Sequence, residues 1–375
     1  MIGGGPGAFI GPIHRIAAEL DREIELVAGA FSSDPARSRA GAEIYGLDVD
    51  RCYADYRSMI EAETARDDGA ELVSIVAPNH LHFPAAQAAL EAGLHVMSDK
   101  PATATLEEAE RLADIVETSG CRYALTYAYS GYPLVREARE LCRDGSIGAI
   151  RKVVVEYSQG WLATAIEADN KQAAWRTDPS KAGVGGCVGD IGVHAFHLAE
   201  FVSGLRVAEM CPDLGAVVGG RVLDDDCNIL LHFAGGARGV LHASQIAFGE
   251  RNNLNIRVYG EQGSLAWRQE DPNRLHVLRD GTEVVLHAGD DRLGGAARRA
   301  TRLPPGHPEG YLEAFANLYT DFARDVRGGM GDTGPSLVPG IGEGLRGMRF
   351  VDQAVRASAA RTGWVKLQDQ GIVGA

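Results

Sequence analysis

The feature that most constrains this chain stands at its start, where Ile2-Gly3-Gly4-Gly5-Pro6-Gly7-Ala8-Phe9-Ile10-Gly11-Pro12-Ile13-His14 places five glycines from Gly3 to Gly11. Gly3, Gly5 and Ala8 fit G-x-G-x-x-A, and Gly3, Gly5 and Gly11 fit a version with a longer turn. Backbone without Cβ atoms can approach a pyrophosphate at the start of the next helix, where unpaired N–H groups and the helix dipole favour negative charge. The motif alone is also compatible with a merely flexible loop. It gains weight from the pattern after it, in which β-rich runs (Ile24–Ala30, Leu72–Val76, Leu94–Met97, Tyr123–Thr126) alternate with helical ones. Such alternation marks βαβ units around a parallel sheet. Asp34 with Pro35 opens one helix that Gly46 closes, and Thr105 with Glu108 forms a capping box for another that ends at Gly120.

After Pro133 the pattern changes. A strand over 151–157 precedes a loop rich in Trp, Arg and Gly, and a helix follows from about Asp190 to Val202. Strands at 228–233, 239–245, 254–259 and 264–267 then succeed one another through tight turns, so they are antiparallel. The stretch 289–308 reads as a loop, with helices over 310–326 and 341–360. The expected architecture is α/β: an N-terminal doubly wound Rossmann domain (1–130) and a C-terminal α+β domain (131–375) with an open, mostly antiparallel sheet. The last helix is a candidate to pack back on the first domain.

Composition narrows the function classes. The 375 residues exceed one ordinary domain, and 47 glycines compare with about 26 at average usage. With 37 basic against 51 acidic residues the net charge is −14, which disfavours nucleic acid and anionic membrane surfaces as partners. No apolar run is long enough to span a membrane and no signal-peptide pattern is present, so a cytoplasmic protein is expected. Six cysteines without a C-x-x-C pair point to reduced, packed thiols rather than zinc or redox chemistry.

Three further clusters carry chemistry. At the end of the second strand, where an Asp or Glu selects NAD by binding the ribose 2′-OH, the segment is Phe31-Ser32-Ser33-Asp34-Pro35-Ala36-Arg37. Ser32, Ser33 and Arg37 could accept a 2′-phosphate, yet Asp34 also reads as a helix cap and Arg37 as a surface charge, so NAD and NADP both stay open. Next, Ala77-Pro78-Asn79-His80-Leu81-His82 and Ser98-Asp99-Lys100-Pro101 follow successive strands, on the side where doubly wound sheets bind ligands. Lys100 is a cation beside the cofactor, and Asn79 and His82 are suited to capping a helix or ordering the cofactor. Finally, in Trp175 to His194, Asp190 and His194 stand at i and i+4 and His197 three residues on, so a helix starting near Asp190 puts all three on one face. A carboxylate can orient an imidazole that titrates near neutrality. Metal ligation by the trio lacks a fourth ligand, and a structural histidine is the other alternative.

These motifs together resemble the glucose-fructose oxidoreductase and inositol dehydrogenase family (Gfo/Idh/MocA). The resemblance rests on the glycine turn with Gly11 and His14, Ala77 to His82, Asp99-Lys100-Pro101, Gly145-Ser146-Ile147-Gly148, Trp175-Arg176 and Asp190-Ile191-Gly192-Val193-His194, in order along nearly the whole chain. It implies a catalytic set of Lys100, Asp190 and His194, with His194 as acid/base, Lys100 stabilising the developing alkoxide, and Asp190 orienting. The cofactor, NAD or NADP without a metal, is expected on Gly3, Gly5, Pro6, Gly7, Ala8, Phe9, Ile10, Ser32, Ser33, Arg37, Ala77, Pro78, Asn79, His82, Asp99 and Lys100. A sugar, glycoside or cyclitol is expected on Tyr129, Tyr132, Trp175, Arg176, Lys181 and His197. The open sheet implies a homodimer or homotetramer.

Three departures stand out. Asp99 replaces the family's usual Glu, Ala128 stands where relatives often have Asn, and only Met1 and Ile2 precede Gly3, so the first strand is severely shortened or the natural start lies upstream. The function expected is an NAD(P)-dependent oxidoreductase for CH–OH groups of carbohydrates or cyclitols. The alternatives are a glycosidase that cycles a retained NAD through oxidation, elimination and reduction, and a non-catalytic cofactor sensor.

Overall fold

The computed structural model describes residues 1–328 and 336–368. They fall into two compact units, Met1–Tyr127 with Phe315–Leu345, and Ala128–Ala314 with Arg346 onward.

In the first unit, β1 (Ile2–Gly3) leads through the glycine turn to α1 (Ile10–Leu20), followed by α2 (Pro35–Tyr45), α3 (Tyr56–Thr64), β2 (Leu72–Val76), α4 (His82–Glu91), β3 (His95–Ser98), α5 (Leu106–Ser119) and β4 (Tyr123–Leu125). The strands pair in parallel in the order β1-β2-β3-β4. Their short apolar runs bury Ile75, Val96, Met97, Ala124 and Leu125 completely, as a sheet covered on both faces requires. The punctuation acts as its chemistry dictates: the Asp34 carboxylate accepts from the Ala36 and Arg37 N–H groups, Gly46 ends α2 at φ 68°, and the Thr105–Glu108 capping box is complete.

The expected strand Ile24–Ala30 does not form. Only Gly29 and Ala30 bridge to neighbours, to Cys52 on one side and to Ile2 on the other. A ladder extends only as far as its partner does. Here β1 offers one pair of bonds, from Ala30 N–H to the Met1 carbonyl and from Gly3 N–H to the Ala30 carbonyl, each 2.9 Å. The parallel bridge still places the chain order on both sides of β1, so the strand order reverses there, which is where doubly wound sheets bind ligands. Phe31 and Tyr45 stack at 4.8 Å in an apolar cluster with Met1, Ala42, Cys52 and Val76 that anchors this edge.

The second unit opens with α6 (Pro133–Arg143), β5 (Ile150–Ser158), α7 (Lys171–Arg176) and α8 (Pro179–Ala182). A π-helical turn, Val188–Gly192, then runs into α9 (Val193–Ser203). β6 (Val207–Gly215), β7 (Asp226–Phe233), β8 (Arg238–Ser244), β9 (Asn253–Gly260), β10 (Gly263–Arg268), β11 (Arg274–Arg279) and β12 (Thr282–His287) follow. The remaining elements are α10 (Gly295–Arg299), which lies inside the stretch expected to be loop, then α11 (Tyr311–Val326), α12 (Ile341–Ala360) and β13 (Val365–Lys366).

Among the described residues these strands make one open sheet, β12-β11-β10-β9-β5-β8-β7-β6-β13, in which β5 and β8 are the parallel pair and the other pairs are antiparallel. Alternation along β7 buries Cys227, Ile229, Leu231 and Phe233 and leaves Asn228 and Leu230 outside. β6 lies outside the expected strands, and it carries Pro212 in its interior, where proline is ordinarily disfavoured. No helix among the described residues is long and apolar enough to cross a membrane.

Candidate active site

In the first unit the glycine turn is built by close backbone approach. A Cβ on Gly5 would stand 2.4 Å from the Phe31 carbonyl oxygen, one on Gly11 would stand 2.4 Å from Gly4 Cα, and Gly3 holds φ 87° against Val76. Gly5 N–H donates to the Phe31 carbonyl and Ala8 N–H to the Gly5 carbonyl. α1 starts at Ile10 without a side-chain cap at Phe9 and without an acidic residue in its first turn. Its first N–H groups therefore face the turn without an internal anion, which is the donor set a pyrophosphate needs.

Beside the turn, Ser32 Oγ accepts from the Asp34 N–H, and Arg37 Nη2 donates to the Pro6 carbonyl at 3.1 Å. Asp34 is thus engaged as a helix cap, while Arg37 reaches the glycine turn rather than standing free on the surface. At the next two strand ends, Asp99 Oδ1 accepts from Lys100 N–H (2.8 Å) and Thr126 Oγ1 (2.9 Å), fixing the turn that carries Lys100. His82 does not cap α4. Its ring nitrogens lie 2.6 Å from the Pro101 carbonyl oxygen and 2.9 Å from that of Ala77, so it ties the two strand-end loops together. Burial lowers its pKa, against the pull of Asp99. Asn79 is buried in the short turn before α4. His14 is fully buried, with the Tyr319 hydroxyl 2.7 Å from Nδ1 and Ser74 Oγ bonded to the same hydroxyl at 2.8 Å. Burial brings its pKa down to about 4.

In the second unit Asp190 Oδ2 accepts from Arg176 Nε at 3.1 Å and from Gln245 Nε2 at 2.9 Å. Arg176 is held in turn by Gln172 and lies 4.2 Å over the Trp175 ring. The His194 ring meets Tyr129 edge-on at 5.0 Å and Tyr157 at 6.2 Å. The hydroxyls of Tyr129 and Tyr157 are hydrogen-bonded to each other, and Tyr157 donates to Asn252 Oδ1 (2.7 Å), which also accepts from Gln159 Nε2 (2.7 Å). Trp161 Nε1 donates to Gln159 Oε1, extending the network. Burial raises both tyrosine pKa values, so the phenols stay protonated donors.

Several expected substrate residues sit elsewhere. His197 lies against Phe201, with Arg139 and Arg206 nearby, and burial takes its pKa down to about 3. Asp190 lies in the π turn that runs into α9, and His194 and His197 lie within α9 itself. Tyr132 packs on Trp267 at 5.3 Å and on Tyr129, as a core residue. Lys181 is exposed and paired with Asp178 at 2.8 Å. Gln159, Trp161, Gln245, Tyr157 and Asn252 escaped the sequence reading. Their signal was positional: Ser158 pairs with Ser244 of β8 and with Asn253 of β9, so the residues next to these positions share one edge, but that is visible only once the pairing is known.

Residues 1–127 match the oxidoreductase family with NAD-binding Rossmann fold, and residues 135–266 match the GFO/IDH/MocA C-terminal domain. The chain belongs to the Gfo/Idh/MocA oxidoreductase family. Among relatives in this family, oxidoreductase YfiI of Bacillus subtilis is 33% identical over 98% of this chain and 96% of its own. An inositol dehydrogenase homologue from Azotobacter vinelandii, solved with NAD+, is 39% identical, superposes with a TM-score of 0.93, and covers 98% of this chain and 96% of its own. The same homologue was solved with NADH and myo-inositol. Levoglucosan dehydrogenase of Pseudarthrobacter phenanthrenivorans is 28% identical over 97% of this chain and 96% of its own. This Gfo/Idh/MocA protein is accordingly an NAD(P)-dependent oxidoreductase. Among the described residues no cluster of three His, Cys, Asp or Glu side chains could hold a metal ion.

Proposed function

We propose that this protein oxidises a ring carbinol of a cyclitol or sugar, or reduces the corresponding ketone. The reading is carried by the hydrogen-bonding array of the second unit. Asp190, Arg176, Gln245, Tyr157, Asn252 and Gln159 supply donors and acceptors for several hydroxyls, and Trp161 and Trp175 offer aromatic faces for ring C–H surfaces. The name of the myo-inositol-bound homologue and that of levoglucosan dehydrogenase support the same substrate class. NAD(P), when bound, supplies the hydride acceptor or donor. Gly3, Gly5, Pro6, Gly7, Ala8, Phe9 and Ile10 would hold its pyrophosphate, with Ser32, Ser33 and Arg37 at the ribose and Ala77, Pro78, Asn79, His82 and Asp99 lining the strand ends. His194 takes or returns the hydroxyl proton, Lys100 stabilises negative charge on the oxygen, and Asp190 orients the substrate.

The test is to follow nicotinamide absorbance with NAD+ and NADP+ separately over myo-inositol, other cyclitols, aldoses, levoglucosan and aryl glycosides. Net reduction with a ring polyol is expected. Aglycone release without net reduction, or silence across the panel, would replace the reading.

We further infer a homodimer or homotetramer formed through the open sheet, supported by Tyr259 and Leu278, which both pair with Ser264 in one row of that sheet and are exposed together with Leu230. Sedimentation should give a multimer that Leu278→Lys with Tyr259→Lys shifts towards monomer; a monomeric wild type refutes it.

A further inference from the structure

Asp224 and Asp225, just before β7, belong to no motif of the sequence, yet they hold Asp190 from two sides. Asp224 accepts from Gly186 N–H at Oδ1 and from Val188 N–H at Oδ2, each at 2.7 Å, and its backbone carbonyl accepts from Cys187 N–H at 2.7 Å. Gly186, Cys187 and Val188 are the residues leading into the π turn that carries Asp190, where a helix start leaves N–H groups without internal partners. Cys187, at the cap position, provides no side-chain bond of its own. The approach is so close that a Cβ on Gly186 would stand 2.2 Å from the Asp224 carbonyl oxygen.

The neighbouring residue completes the arrangement. The Asp225 carbonyl accepts from Gln245 N–H at 3.0 Å, and Gln245 Nε2 donates to Asp190 Oδ2 at 2.9 Å. The Asp225 carboxylate is itself fixed by the Val217 and Val218 N–H groups and by Arg221 Nη1. One dipeptide therefore sets both the backbone from which Asp190 projects and the amide that Asp190 accepts.

We propose that Asp224 is a positioning residue for the oxidoreductase reaction, its carboxylate holding the turn that presents Asp190. The inference rests on the reading of Asp190 as a substrate-side residue. The carboxylate acts through two directed hydrogen bonds, and a small displacement at a reacting centre costs far more rate than stability. Burial pushes the Asp224 carboxyl up to about 6 against the downward pull of the Val188 and Gly186 N–H groups, so above neutral pH it is the ionised acceptor that these donors require.

Asp224→Asn keeps the shape and one acceptor but turns the other oxygen into an NH2 group facing an N–H donor. At pH 8, with the polyol that turns over fastest in the panel above, kcat is expected to fall about 10- to 100-fold. NADH affinity should change less than about twofold, because the glycine turn belongs to the other unit. Hydrogen–deuterium exchange should show protection lost over 183–192. In the Asp190→Asn background the same change should cost no further kcat, because its effect passes through Asp190. Multiplying losses in the double variant would assign Asp224 an independent, merely structural effect and overturn the proposal. Turnover that collapses in Asp190→Asn but survives in Asp224→Asn overturns it alone, whereas turnover that survives Asp190→Asn overturns the reading of Asp190 and this inference with it. If Asp224→Asn does not fold, Asp224→Glu, which keeps the charge but moves both acceptors by one methylene, is put through the same cycle with the same outcomes.

Discussion

Lys100→Met should lower kcat by about two to three orders of magnitude, roughly 3 to 4 kcal/mol of transition-state stabilisation, while folding and NADH binding stay near wild type. The side chain of methionine has nearly the length of lysine without its charge, so the substitution removes the cation and keeps most of the packing. The scaffold that aims Lys100 lies outside the side chain itself. Asp99 Oδ1 receives the Lys100 N–H and the Thr126 hydroxyl, Asp99 N–H donates to the Ile75 carbonyl, and His82 bridges the Ala77 and Pro101 carbonyls. All of these survive the exchange. A steady-state assay with the preferred polyol, paired with an NADH fluorescence titration and a thermal melt, reads the three quantities separately. Undiminished kcat removes Lys100 from the chemistry, and a parallel loss of NADH affinity would make it a cofactor-binding residue instead.

Acidification from pH 7 to 5 should destabilise the protein, and two buried histidines contribute to the effect. His14 titrates at about 4 and His197 at about 3 in the folded chain, both lowered chiefly by burial from an ordinary value of 6.5. The unfolded chain binds the extra protons first, so stability present above pH 6.5 is lost as pH falls towards the folded values. Over this range each histidine costs about 2 kcal/mol, at about 1.4 kcal/mol per pH unit. Asp224 works in the opposite sense. Its folded value of about 6 lies above the ordinary 3.8, so protonation between pH 6 and 5 returns about 1 kcal/mol, and these three groups together lose roughly 2 to 3 kcal/mol. Urea midpoints measured at pH 7 and 5 check the size. His197→Leu should flatten the pH dependence by about half the histidine contribution, whatever its effect at pH 7. A pH-independent midpoint in the wild type would mean that these histidines are not held neutral.

Much of the fold was legible because the signals are local. Asp34-Pro35 and Gly46 bracket α2, Thr105 and Glu108 open α5, and Ile341 to Ala360 is helical from end to end. Each depends on φ/ψ preferences and caps spanning a few residues, which the sequence carries directly. Ile24–Ala30 misled for the complementary reason. Its composition suits a strand, but a strand also needs a partner, and β1 has two residues to offer.

The sequence by itself determined the class of the protein: a glycine turn leading into a parallel sheet, strand-end loops bearing Asn79, His82, Asp99 and Lys100, and an Asp190-to-His194 segment ahead of an antiparallel meander. Tertiary structure alone decided what surrounds those residues. Asp190 is held by Gln245 from 55 positions away, Tyr157 by Asn252 from 95, and His14 by Tyr319 from 305, while Asp224 secures the entrance to the π turn across 36 to 38 positions. The Asp190–Gln245 and Tyr157–Asn252 pairs are set by strand register and by which strand lies beside which, and the His14–Tyr319 pair by the packing of α1 against α11. A shift of one residue in register would send strand side chains to the opposite face, and neither register nor packing is encoded in the spacing of residues along one segment.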